Sequence, residues 1–259
     1  MLFAVALVAA LPDLIPARWA SADPATLDIV RATPVNCLLI EEKHWSGTFN
    51  AEAARRGVAA FAVLRPRADP AASARRAVDL RFAGAVIEGA FDPAQRSALR
   101  NIFTAAKLPT IDITLRSEMK LDGSAPVIGT YQGLWPGVQV DEGGVTKAAP
   151  SGAPWIDTNT GFLRFVRAST NSTVWMAETP PEGKTYPVQR YLQAIGDAGL
   201  VGARWVIASP SWLATQPPTA INTSGRACFS RRHSPSSENT FSCAFSRTEQ
   251  VLNRIRSAA

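Results

Sequence analysis

Three times along the chain an Asp-Pro dipeptide follows a short apolar run and opens a helical pattern: Asp23-Pro24, Asp69-Pro70 and Asp92-Pro93. An Asp side chain accepts hydrogen bonds from the free N–H groups of a first helical turn. A Pro at the first helical position lacks the N–H that would go unpaired there. Each pair therefore marks the point where an extended segment gives way to a helix. The result is a loose repeat of roughly 25 residues, the size of one strand-plus-helix unit.

The runs before these helices are short and apolar throughout, the pattern of strands covered on both faces of a parallel sheet. The predicted strands are 14–19, 35–40, 58–64, 83–87, 110–113, 155–157, 174–177 and 204–208. Helices are expected at 24–31, 49–56, 70–80, 93–107, 161–167 and 188–200, with Gly57 stopping the second. This alternation suits a (β/α)8 TIM-type barrel or an open doubly wound sheet. No Gly-x-Gly-x-x-Gly follows a strand, and no Walker-type Gly-Lys-Ser/Thr occurs, which favours the barrel. The rhythm breaks at 115–153, where Pro126-Val-Ile-Gly-Thr-Tyr131 and a Gly/Pro-rich run read as a hairpin-bearing excursion over the barrel mouth. If 126–131 belongs to the barrel instead, there are nine strands and one other assignment must go.

The expected organisation is a signal-like segment at 1–11, a barrel domain at 12–208 and a Ser/Arg-rich tail at 209–259. Met1–Ala10 is long enough for the apolar region of an export signal and too short to span a membrane, so export is expected. From Ser209 the apolar pattern stops. Six basic residues (Arg226, Arg231, Arg232, Arg247, Arg254 and Arg256) face two acids (Glu238 and Glu249). The tail reads as a disordered extension or an out-of-frame or truncated end, and without a closing helix the barrel is incomplete at its C-terminus. The formal net charge of +6 therefore sits largely in the tail. The body carries no nucleic-acid signature. Two histidines in 259 residues leave no multi-His metal site, and no Gly-x-Ser-x-Gly elbow supports an α/β-hydrolase.

Barrel enzymes gather their chemistry at the C-terminal strand ends. Here those positions hold Arg18 and Trp19, Glu41 and Glu42, Arg65, Glu88, Asp112, Asp157 with Asn159, and Glu178. Paired carboxylates suit glycoside hydrolysis, in which one acid protonates the leaving oxygen and the other attacks or activates water. Trp19, Trp45, Tyr131, Trp135 and Trp155 lie near strand ends or in the excursion, where aromatic faces can stack on sugar rings. Trp175 and Trp205 sit inside strands and read as core. His44 is a loop histidine able to serve as a base, and Cys37 reads as a buried inert thiol.

In the eight-strand count Glu88 ends strand four and Glu178 ends strand seven. In this the sequence resembles the glycoside-hydrolase-like TIM barrels, many of which carry the acid/base and the nucleophile on those two strands. The stretches Pro154-Trp-Ile-Asp-Thr-Asn159 and 191–205 also resemble those of bacterial barrel proteins. The chain departs from the pattern in reading Val86-Ile87-Glu88-Gly89 where many such enzymes have Asn-Glu.

The resemblance implies a barrel that binds and hydrolyses a carbohydrate without a cofactor or metal, with Glu88 as acid/base and Glu178 as nucleophile. Asp157 and Asn159 would orient hydroxyls. Arg18, Trp19, Glu41, Asp112, Tyr131 and Trp135 would line the ligand. The alternatives are a non-catalytic barrel that binds a carbohydrate or another partner, a fragment of a longer protein, or a barrel acting on a non-sugar small molecule. No strand-end lysine is placed for Schiff-base chemistry.

Overall fold

Helices begin where the Asp-Pro pairs place them. Asp23 Oδ1 accepts from the Ala25 N–H at 2.9 Å, Asp69 Oδ1 from Ala72 at 2.9 Å and Asp92 Oδ1 from Gln95 at 2.8 Å. The first opens a 3₁₀ segment, Pro24–Ala32, and the other two open α-helices. The structure, a computed structural model, describes residues 10–131, 136–140, 143–144, 146–150, 156–178 and 188–208. Segment 1–11 except its last two residues, the 209–259 tail, Trp135 and Trp155 lie outside the described residues.

In chain order the elements are β1 (Pro16–Trp19), β2 (Cys37–Glu41), α1 (Gly47–Arg55), β3 (Ala59–Leu64), α2 (Pro70–Asp79) and β4 (Gly84–Glu88). Then come α3 (Pro93–Ala105), β5 (Thr110–Thr114), β6 (Val127–Thr130), and an antiparallel hairpin of β7 (Pro136–Val140) and β8 (Thr146–Pro150). The described chain ends with α4 (Ile156–Ser169), β9 (Thr173–Met176), α5 (Val188–Leu200) and β10 (Arg204–Trp205).

Eight strands pair in parallel in the order β1-β2-β3-β4-β5-β6-β9-β10. The two ends of this sheet meet. Ala17 bridges Ile207 in parallel, the Arg18 N–H donates to Ile207 O at 2.7 Å, and the Ile207 N–H donates to Pro16 O at 3.2 Å. The chain is thus a (β/α)8 barrel, and its ring closes among the described residues. No helix among them is long and apolar enough to cross a membrane.

The sixth strand differs from the sequence expectation. Residues 127–130 belong to the ring, pairing Ile113 with Gly129 on one side and Gly129 with Trp175 on the other. Gly129 permits that approach, since a Cβ there would stand 2.8 Å from Ile113 Cγ1. Residues 155–157, expected as strand six, instead run into α4. Three residues are too few to show a period, and the helical spacing emerges only at Leu163 and Val166, which are buried. The count stays at eight, and the hairpin is the connection from β6 to α4.

Alternation along the strands sorts the core into layers. Leu14, Cys37, Leu39, Phe61, Val63, Val86, Ile111, Ile113, Val127, Trp175, Ala177 and Val206 fill the barrel interior. Leu38, Ile40, Ala62, Leu64, Ala85 and Ile87 face the helices on one side, and Ile128, Val174, Met176 and Trp205 face α4 and α5 on the other.

Candidate functional site

The same alternation decides which polar side chains reach the barrel axis. Cys37 and Leu39 face inward on β2, so Glu41 is the next inward position. Phe61 and Val63 lead to Arg65 after β3, and Val86 leads to Glu88 on β4. On β1, Ala17 faces the helices, which leaves Arg18 inward. The C-terminal ends of β1 to β4 thus present Arg18, Glu41, Arg65 and Glu88, alternating in charge.

These four are joined. Arg18 Nη2 donates to Glu88 Oε1 at 2.6 Å and to the Ala177 carbonyl at 3.0 Å, while its Nη1 lies 3.5 Å from Glu41 Oε1. Arg65 donates Nη2 to Glu41 Oε1 at 2.8 Å and Nε to both Glu41 oxygens at 3.2 Å. Its Nη1 lies 3.3 Å from Glu88 Oε1. Partial burial opposes the Arg65 charge, yet Glu41 and Glu88 together hold its pKa above the ordinary arginine value. Glu88 is 2% exposed, and two guanidiniums meet its Oε1. Its Oε2 is buried without a hydrogen-bond partner. Fork-shaped guanidinium donors fix a carboxylate in direction as well as in charge.

Glu178 lies two residues past β9 and is 1% exposed. Arg116 Nη2 donates to its Oε1 at 3.1 Å, and the same nitrogen donates to Asn159 Oδ1 in the first turns of α4. The Arg116 guanidinium lies over the Phe162 ring at 4.4 Å, a cation–π contact that fixes its plane. Arg18 joins the two carboxylate neighbourhoods, because the carbonyl it holds belongs to the residue before Glu178.

The structure brings Arg18, Glu41 and Glu88 together, joins Glu178 to Asn159 through Arg116, and takes other expected site residues away from the axis. Tyr131 follows β6, packs on the interior cluster, and feels Glu118, Arg96 and Glu88. Trp19 faces outward, packs on the layer beneath the helices and donates Nε1 to Thr26 Oγ1 at 3.2 Å. Asp112 also faces outward, between inward Ile111 and Ile113. It accepts from Arg96 Nη1 at 2.8 Å and from Arg100 Nε at 2.9 Å, both on α3. Neither Trp19 nor Asp112 is positioned to line a ligand at the barrel axis. Each lies one residue out of step with the inward series. Asp157 sits in the first turn of α4 rather than at a strand end. Trp45 is buried against Phe82, with ring centroids 5.3 Å apart, and donates to Ile40 O at 2.8 Å.

Burial, and then Lys43, hold the His44 imidazole below its ordinary pKa against the opposing pull of Glu41. Its Nε2 is buried without a partner. Among the described residues no group of three or more His, Cys, Asp or Glu side chains is arranged to hold a metal ion. Arg96, Arg100, Arg116 and Phe162 carry no signal in the sequence pattern. All are helix or loop residues whose reach to the strand ends depends on how the helices pack.

The sequence matches no protein-family model and no curated protein. Solved structures similar in fold include the glycoside hydrolase domain of PelA from Pseudomonas aeruginosa, at 14% identity and TM-score 0.48, over 76% of this chain and 95% of that one. The citrate synthase SbnG matches at 10% identity and TM-score 0.47, over 83% and 94%. A flavocytochrome b2 variant matches at 9% identity and TM-score 0.47, over 93% and 63%. The shared feature is the architecture.

Proposed function

We propose that this barrel binds a carbohydrate at the C-terminal ends of its strands and hydrolyses a glycosidic bond with Glu88 and Glu178. The observation that carries the reading is the setting of Glu88: inward at the end of β4, oriented by Arg18 and Arg65, with a buried oxygen left unpartnered. Arg18, Glu41, Arg65 and Glu88 alternate donors and acceptors around the axis. A sugar diol both donates and accepts, so it can insert into such a series where a simple anion or cation would meet repulsion.

On this reading Glu88 takes a proton from water as sugar hydroxyls displace its guanidinium contacts. Glu178 attacks the anomeric carbon while the bond to the leaving oxygen breaks, and Glu88 delivers that proton to the leaving oxygen. Water then displaces Glu178, with Glu88 taking back a proton. Arg116 and Asn159 orient Glu178, and Arg65 is 45% exposed on the side from which a ligand arrives.

The test is turnover of a panel of aryl glycosides and oligosaccharides by the wild type, Glu88→Gln and Glu178→Gln. Losses of about 10²-fold or more in kcat with binding retained support the reading. A wild type that binds a sugar without cleaving it supports a second reading, a binding-only barrel. That reading is favoured by the near-complete burial of both carboxylates under arginines. Neither binding nor turnover on any sugar overturns both.

A further inference from the structure

Glu88 is held through its side chain by Arg18 and Arg65, and its backbone is held as well. Arg96, on α3 and 8% exposed, donates Nη1 to the Ile87 carbonyl at 3.0 Å and Nη2 to the Gly89 carbonyl at 2.7 Å. Those are the two carbonyls flanking Glu88. The guanidinium is itself fixed. Its Nη1 also meets Asp112 Oδ1 at 2.8 Å, Asp112 is held from its other oxygen by Arg100, and the Phe91 ring lies 5.5 Å from the guanidinium carbon. At Gly89 the chain turns with φ +118, a conformation L side chains rarely adopt, and a Cβ there would meet Pro66 Cδ at 2.7 Å. The strand therefore ends abruptly after Glu88; Arg96 donates to the carbonyls on both sides of it, and the Gly89 carbonyl also accepts from the Phe91 N–H at 3.1 Å.

We propose that Arg96 is a positioning residue for Glu88: by bracketing the residue from both sides it fixes where the carboxylate stands in the barrel mouth, independently of the charges that face it. The proposal builds on the reading of Glu88 as a reacting group. A lysine at 96 keeps the charge but is a point donor on a flexible stem, unable to hold two carbonyls and a carboxylate in the geometry of a planar fork. Arg96→Lys therefore isolates placement from electrostatics.

The experiment follows the Glu88 carboxyl carbon by NMR through a pH titration, assigned with Glu88→Gln, in the wild type, Arg96→Lys and Phe103→Leu. Phe103 is buried on α3, and its ring can supply no hydrogen bond to the carbonyls flanking Glu88, so its variant reports mere loosening of the helix. The expected result is a Glu88 midpoint displaced by about half a pH unit or more in Arg96→Lys and unmoved in Phe103→Leu. A midpoint unmoved in Arg96→Lys, or displaced equally in both variants, overturns the proposal. Where the wild type cleaves a glycoside, Arg96→Lys lowers kcat about tenfold or more with KM unchanged. A KM effect alone counts against it. If no glycoside is cleaved, the hydrolytic reading falls and the titration still decides the role of Arg96.

Discussion

Arg18 Nη2 stands 2.6 Å from Glu88 Oε1 and 3.0 Å from the Ala177 carbonyl, so one guanidinium on β1 spans from β4 to the residue after β9. The Arg18 side chain is 12% exposed and that of Glu88 is 2%. Two charges brought this far out of water recover their hydration loss only through each other and through the surrounding hydrogen bonds. Arg18 is therefore held in place by Glu88 and the Ala177 carbonyl.

Removing one member should cost much more than removing both. Arg18→Met strands a buried carboxylate with only the 3.3 Å contact from Arg65 and should lower stability by about 3–5 kcal/mol. The Arg18→Met/Glu88→Leu double variant should regain most of that loss. Urea unfolding of the wild type, Arg18→Met, Glu88→Leu and the double variant measures the coupling. Strictly additive losses would show that the two side chains do not act as a pair.

Glycines in this chain separate sharply by location. A Cβ at Gly84 would stand 2.7 Å from Phe61 Cζ and 2.8 Å from the Pro109 carbonyl, in the core and against backbone. Gly84→Ala should therefore destabilise by about 1–3 kcal/mol. Gly161, inside α4, has nothing within 4 Å of the added carbon, and Gly161→Ala should stabilise by about 0.5–1 kcal/mol. Thermal unfolding of both decides. A destabilised Gly161→Ala would mean that α4 packs differently from the described arrangement.

The alternation of strands and helices was readable because each Asp-Pro start and each apolar run is a local signal, and local signals need no tertiary information. Strand six was not, because Trp155-Ile156-Asp157 and Pro126–Tyr131 look equally extended over so few residues. Only the pairing of Gly129 with Ile113 and Trp175 separates them. Glu41, Arg65 and Glu88 could be placed at strand ends, but facing direction turns on a one-residue phase. Trp19 and Asp112 share the strand ends with inward neighbours and point the other way. The arginines that hold the acids were hidden for a different reason. Arg96 and Arg116 act across 16 and 62 residues of chain, and nothing in a helix or loop position announces such a reach.

Cys37 lies at the barrel interior, fully buried, and burial pushes its thiol pKa far up. Thiolate is the reactive form, so native Cys37 should resist thiol reagents. Peptide mapping after timed labelling should find it modified only as fast as the barrel unfolds. The labelling rate should rise with urea in step with global unfolding. Rapid modification at neutral pH without denaturant would place an opening where the structure shows packed Leu39, Phe61 and Val63.

Tyr131 offers an optical probe of the same mouth. Burial raises its phenol above the ordinary value of 10.0, with Glu118 and Glu88 adding to the rise and Arg96 opposing it. The protonated phenol is thus the form the fold favours. Its contribution to stability is complete below the unfolded-state pKa and is lost as pH climbs from there through the raised folded value. Difference absorbance near 295 nm, compared between wild type and Tyr131→Phe, should show this tyrosine ionising later than a free phenol. Glu118→Gln removes the neighbouring negative charge with the larger effect and should bring the midpoint down, whereas Glu52→Gln, a change on α1 at a residue paired with Arg55 and Arg56, should leave it in place. A midpoint indifferent to Glu118 would separate Tyr131 from the acids at the strand ends and remove it from the ligand face.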